Sequence, residues 1–145
     1  YDTDKLIEKQ FNTSIKTLFQ LNGEKYFREV EKLKIKQTID NSLKLKHKAV
    51  ISVGGGAFVN KETRELLLKT TKVIWLNTPV NVLVSRVGNG SKRPMIKGDA
   101  RPPTNTTLNK TTKHHPPCHY QANTIDLNQE QIISKIIDIT NTYKS

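Results

Sequence analysis

The feature that most restricts this chain is the short run Ala49-Val50-Ile51-Ser52-Val53, which ends in Gly54-Gly55-Gly56. A β-branched run of this length reads as a buried strand. Glycines at the C-terminal end of such a strand stand where open α/β sheets hold their ligands. Lacking Cβ atoms, they let backbone N–H groups come close to a ligand. A flexible turn is the plain alternative, but three adjacent glycines out of seven in the whole chain favour a functional corner.

The surrounding pattern alternates. Lys72 to Leu76 (KVIWL) predicts a second buried strand, and Ile125 to Leu127 a third. Helices are predicted over 4–10, with Asp4 as cap, over 14–21, opened by Ser14, and from Glu24 to about Leu45 after the Asn22-Gly23 break. Phe27, Val30, Leu33, Ile35 and Ile39 supply the apolar side of the long helix. Further helices are expected over 61–69, from Thr78-Pro79 to about Val87, and from Gln129 to about Tyr143. Strands alternating with helices imply an α/β fold with a parallel sheet. The stretch from Ala100 to Asn123 breaks this grammar. It has four prolines, a His pair and no Asp or Glu, and reads as a loop.

At 145 residues the chain has the size of one domain, with no apolar run long enough for a membrane helix. One cysteine, Cys118, excludes an internal disulfide framework and fits a reducing compartment. Net charge is +11. Such a balance suits a polyanion partner, but the basic residues are spread along helices and not interleaved with aromatic rings. A solvated Lys-rich surface explains it better than a nucleic-acid face.

Several constellations could carry chemistry. Asp2 and Asp4 precede a helix. One can approach a metal–phosphate complex while the other accepts a hydrogen bond from a substrate hydroxyl; alternatively Asp4 only caps the helix. Arg28, with Glu31 three residues on, can grip a carboxylate bidentately, or the two form a solvated ion pair. Arg86 sits at a helix end, where it could stack on a purine. Arg93-Pro94 follows Gly88-Asn89-Gly90, so Arg93 could ride a closing loop and stabilise a transferring phosphoryl group. The run Lys113 to His119 holds three His and Cys118 without regular ligand spacing, so no zinc is expected.

DTDxxIE at Asp2 to Glu8, the SI…LF…GE…FRxxE stretch at Ser14 to Glu31, VGGG at Val53 to Gly56 and RxxxxxxRP at Arg86 to Pro94 stand in this order. Together they resemble shikimate kinases across residues 1–99. The resemblance implies a three-layer parallel sheet of the P-loop nucleoside-monophosphate-kinase type. One domain would span 1–145, with substrate-binding helices in 4–45 and a lid at about 88–122. It implies ATP-dependent phosphorylation of shikimate, with ATP and Mg²⁺ required, in a cytoplasmic monomer. Asp2 would approach Mg²⁺ through water. Asp4 would bind the ring hydroxyls and orient or deprotonate the attacking one. Arg28 would pair with the substrate carboxylate, and Gly54, Gly55 and Gly56 would contact the substrate. Arg93 would be the lid arginine, and Arg86 would lie beside the adenine.

The sequence departs from the family pattern twice. No strand with a GxxxxGK[ST] loop precedes Asp2, so the fold is expected to be incomplete at its N-terminal side and these residues alone to be unstable or inactive. The family's Arg-x-Pro-x-Tyr motif has a counterpart for its Tyr in Tyr120 and for its Pro in Pro116 or Pro117. No Arg follows Arg101, and His114 or His115 lies nearest the expected place. An inactive relative that keeps the fold, and a basic nucleic-acid-binding module, are the competing functional readings.

Overall fold

The structure, a computed structural model, describes residues 1–45, 48–79, 82 and 117–142. These residues group into two compact units, one over Tyr1–Thr70 and one beginning at Thr71.

The first unit begins with an extended pair. Asp2 and Ser52 form a parallel bridge, with Ser52 N–H donating to the Tyr1 carbonyl at 2.8 Å and Thr3 N–H to the Ser52 carbonyl at 3.1 Å. The fully buried Thr3 hydroxyl donates to the same carbonyl at 3.0 Å. The predicted buried strand over Ala49 to Val53 is therefore corrected. The segment is extended but carries a single bridge, and Val50 is 78% exposed. A strand is buried only where neighbours cover it, and among the described residues Tyr1 to Thr3 line one edge alone.

Helix α1 (Thr3–Phe11) is capped by Asp2 and not by Asp4. The Asp2 side chain accepts from the Lys5 amide at 3.2 Å, which leaves Asp4 in the first turn. Asn12 ends the helix in the left-handed region, φ 47°, a conformation that Asn tolerates. Helix α2 (Ile15–Lys44) is opened by Ser14, whose hydroxyl accepts from Thr17 N–H, as predicted. The expected break appears as a kink at Gly23, with φ 79° and ψ 174°. Glu8 ties the two helices together by accepting from the Ile15 amide at 3.0 Å. Ile7, Leu18, Phe19 and Phe27 form the core between them, with Phe11, Ile15 and Val30 packed against it. Burying each such side chain contributes about 1.5–3 kcal/mol.

Beyond the kink the buried stripe of α2 steps by four: Phe27, Glu31, Ile35, Ile39, with Thr38 and Ser42 beside it. Leu33, expected on the apolar side, is 55% exposed. Thr38 and Ser42 satisfy their hydroxyls on carbonyls one turn back, at 2.8 Å each. After the glycines a 3₁₀ turn (Gly55–Phe58) leads to helix α3 (Lys61–Thr70), whose first turn is capped by Asn60 through the Thr63 amide.

In the second unit β1 (Ile74–Asn77) and β2 (Tyr120–Asn123) pair in parallel, Ile74 opposite Tyr120 and Asn77 opposite Asn123. The parallel pairing agrees with the expected α/β class. The third strand is not at Ile125 to Leu127 but at Tyr120–Asn123, inside the stretch read as loop. Ala122 is fully buried there and Thr124 almost so, whereas Ile125 is 48% exposed. Side chains lock the pair at both ends. His119 Nδ1 accepts from the Val73 amide at 3.0 Å, and Thr124 donates to the Asn77 carbonyl through its amide and its hydroxyl. Helix α4 (Gln129–Thr142) opens with a reciprocal cap between Asn128 and Gln131 and presents Ile132, Ile136 and Ile139 as half-buried residues. The helix predicted from Thr78 to Val87 lies almost wholly outside the described residues. Among those residues no helix is long and apolar enough to cross a membrane.

Candidate functional site

Three elements of the first unit meet at one corner. The kink at Gly23 folds the start of α2 back, so that Phe19 and Phe27 stack with centroids 4.5 Å apart. Over them lies the guanidinium of Arg28, its Cζ 5.3 Å from the Phe27 centroid and 5.9 Å from that of Phe19. Arg28 Nη1 donates to Glu31 Oε2 at 2.7 Å, and Nη2 reaches Glu24 at 3.4 Å.

The two acids differ in kind. Glu24 is more than half exposed and its contact is long, so it contributes little. The Glu31 side chain is 3% exposed and faces the protein interior. Burial pushes its carboxyl above the ordinary carboxylate value. The hydrogen bond and charge of Arg28 oppose that rise, and the nearby carboxylate of Asp4 adds to it. The solvated ion pair considered from spacing alone is thus replaced by a buried one that fixes the direction of the guanidinium. Among the described residues no buried side-chain polar atom lacks a hydrogen-bond partner.

The glycine corner closes the site. A methyl group on Gly54 would come 3.4 Å from Glu31 Oε1 and 3.8 Å from Asp4 Oδ1. On Gly56 it would come 2.5 Å from Arg28 Nη1 and 2.6 Å from Arg28 Cζ, closer than atoms can pack. Gly55 has nothing within 4 Å and is exposed. Gly56 is therefore kept bare by the close approach of the Arg28 guanidinium, a methyl group on Gly54 would make only ordinary contacts with Glu31 and Asp4, and Gly55 faces open space.

Of the residues singled out in the sequence, Asp4, Arg28, Gly54, Gly55 and Gly56 gather here. Asp2 stands two residues before Asp4, at the bridge to Ser52, with one carboxylate oxygen engaged by the Lys5 amide. Arg86 and Arg93 lie outside the described residues, as do His114 and His115. Sequence reading missed the Phe19–Phe27 floor and the burial of Glu31. The step of four from Phe27 through Glu31 to Ile35 was the available signal, because it puts Glu31 on the buried stripe. A guanidinium with two carboxylates beside bare backbone has the chemistry to hold a small anion that also carries hydroxyls: such a fork can take the anion, and a carboxylate such as that of Asp4 can accept from a hydroxyl.

A sequence profile described as shikimate kinase matches residues 1–141. A shikimate kinase of Caldicellulosiruptor bescii is 34% identical over 139 residues, which is 95% of this chain and 78% of that protein. One from a Sulfurihydrogenibium species is 35% identical over 96 residues, 66% of this chain and 55% of that protein. Among solved structures, the shikimate kinase from Acinetobacter baumannii in complex with shikimate superposes with a TM-score of 0.77. It covers 99% of this chain and 78% of that one at 26% identity. The shikimate kinase of Aquifex aeolicus gives 0.74 at 22% identity, covering all of this chain and 83% of that one, which speaks for the fold. The parallel α/β arrangement is that of the P-loop nucleoside-monophosphate-kinase type. With the profile spanning nearly the whole sequence and a relative above 30% identity along almost all of it, the chain belongs to the shikimate kinase family.

Proposed function

We propose that this chain takes part in ATP-dependent phosphorylation of shikimate and that the corner formed by Asp4, Arg28, Glu31 and Gly54–Gly56 is its shikimate site. The observation that carries the reading is the convergence of Asp4 and Arg28, twenty-four positions apart, on Gly54 and Gly56 of one short glycine run. Arg28, held by Glu31, binds the substrate carboxylate. Asp4 accepts a hydrogen bond from the ring hydroxyl that attacks. That hydroxyl oxygen forms a bond to the γ-phosphorus of ATP, the bond from that phosphorus to the β,γ-bridging oxygen breaks, ADP leaves, and the proton passes to Asp4. Catalysis rests mainly on position and charge. Arg93 stabilises the transferring phosphoryl group and Arg86 flanks the adenine in this reading, both on the strength of the family pattern.

Asp2 is the candidate for Mg²⁺. A single carboxylate with one oxygen already engaged by the Lys5 amide fits contact through water better than direct ligation. When bound, the ion would neutralise charge on the phosphates. We place the enzyme in the cytoplasm, as a monomer.

Calorimetric titration with shikimate tests the substrate half by itself. The chain should bind one equivalent saturably, and Arg28→Met should weaken binding about 10- to 150-fold, the loss of a charge-assisted pair worth ~1.5–3 kcal/mol. Absence of saturable binding at millimolar shikimate would overturn the reading.

A further inference from the structure

The glycine corner has no side chains with which to hold itself in place, yet its position decides what Arg28 and Asp4 can share. Two contacts of α3 bear on it, one to the turn itself and the other to α2. Arg64, half-buried on that helix, donates from Nη1 to the Phe58 carbonyl at 2.8 Å. Phe58 is the last residue of the 3₁₀ turn whose first two residues are Gly55 and Gly56. The turn is further closed by Ala57 N–H to the Gly54 carbonyl at 3.0 Å and Val59 N–H to the Gly56 carbonyl at 3.1 Å. The other contact joins Lys32 of α2 to Glu62 at the start of α3. Glu62 is 73% exposed, so that pair is screened and weak. Arg64 is the tie that matters, because a cation at the carbonyl end of a turn satisfies an acceptor and its dipole together.

We infer that Arg64 is a positioning residue for the substrate site: through the Phe58 carbonyl it holds the Gly54–Gly56 corner against the Arg28 guanidinium and the Asp4 carboxylate. It touches no substrate. Its effect is geometric, since a shift of about 1 Å in a site of this kind costs up to about a hundredfold. The inference rests on the proposed shikimate site for its functional consequence, but not for the coupling between α3 and the corner.

The experiment pairs two readouts on the whole chain, for wild type, Arg64→Met and Arg64→Lys. Methionine keeps an unbranched side chain to pack but has no donor; lysine restores a donor. Amide exchange of Ala57 and Val59 should quicken about tenfold in Arg64→Met and return towards wild type in Arg64→Lys. Shikimate affinity, measured well below the unfolding midpoint, should fall about 5- to 20-fold in Arg64→Met and recover partly in Arg64→Lys. Unchanged exchange at Ala57 and Val59 would overturn the coupling. Quickened exchange with unchanged shikimate affinity would reduce Arg64 to a structural residue and overturn its positioning role. If wild type binds no shikimate, the exchange readout still decides the coupling, and it is the proposed substrate that fails.

Discussion

The guanidinium of Arg28 lies against the Cα of Gly56, so near that a methyl group there would come 2.5 Å from Nη1. On the proposed reading of the site, Gly56 acts in binding without a side chain, by leaving room for the guanidinium. In Gly56→Ala the arginine must swing aside, because its guanidinium is the movable end of a flexible side chain. Shikimate affinity should fall at least tenfold. Stability should drop by about 1–3 kcal/mol, since the buried Glu31 carboxylate loses its donor. Titration and urea denaturation of the same variant check both numbers.

Gly55→Ala should behave differently. Nothing lies within 4 Å of the added methyl group, so stability should stay within about 0.5 kcal/mol of wild type. Shikimate affinity should nevertheless fall, because a bound ligand is what the methyl group would meet. Equal affinity in the two proteins would mean that the substrate does not lie over the corner.

Glu31 gives the stability a pH dependence with a definite sign. Burial raises its carboxyl above the ordinary 4.5, so the fold favours the protonated acid. That contribution is fully present below 4.5 and is lost as pH rises through the raised folded value. Glu31→Gln has no such loss. Its stability should therefore rise relative to wild type as pH increases above 4.5, as read from denaturation midpoints along a pH series. Parallel profiles would contradict the burial of Glu31.

The kink has its own test. Gly23 adopts φ 79° and ψ 174°, a region open to glycine alone, and an added methyl group would meet no atom within 4 Å. The penalty for Gly23→Ala is therefore conformational, about 1–3 kcal/mol. Straightening α2 would also part Phe19 from Phe27, so shikimate binding should weaken along with the denaturation midpoint.

Much of the site was legible in the sequence because its parts are local signals. Arg28 and Glu31 share a helix face, Asp4 sits in a first helical turn, and the glycines follow an apolar run. What joins them was not legible. Glu31 reads as a surface acid until the stripe Phe27–Glu31–Ile35 is seen to be buried. Arg64 reads as an ordinary helix cation, since its partner is a backbone carbonyl and leaves no trace in residue type. The strand at Tyr120–Asn123 escaped because its apolar content is the single buried Ala122, and its pairing depends on β1 more than forty residues away. Val50 and Ile51 suggested a buried strand because propensity reports what a segment prefers, not which neighbours reach it.

The most direct test is a ¹⁵N–¹H spectrum of the labelled chain titrated with shikimate. Saturable shifts are expected at the Asp4, Gly54, Gly55 and Gly56 amides and at the Arg28 Nε–H, with the groove lined by Phe11, Tyr26, Val30 and Leu33 unaffected. Shifts confined to that groove, or none at the glycines at saturation, would contradict it.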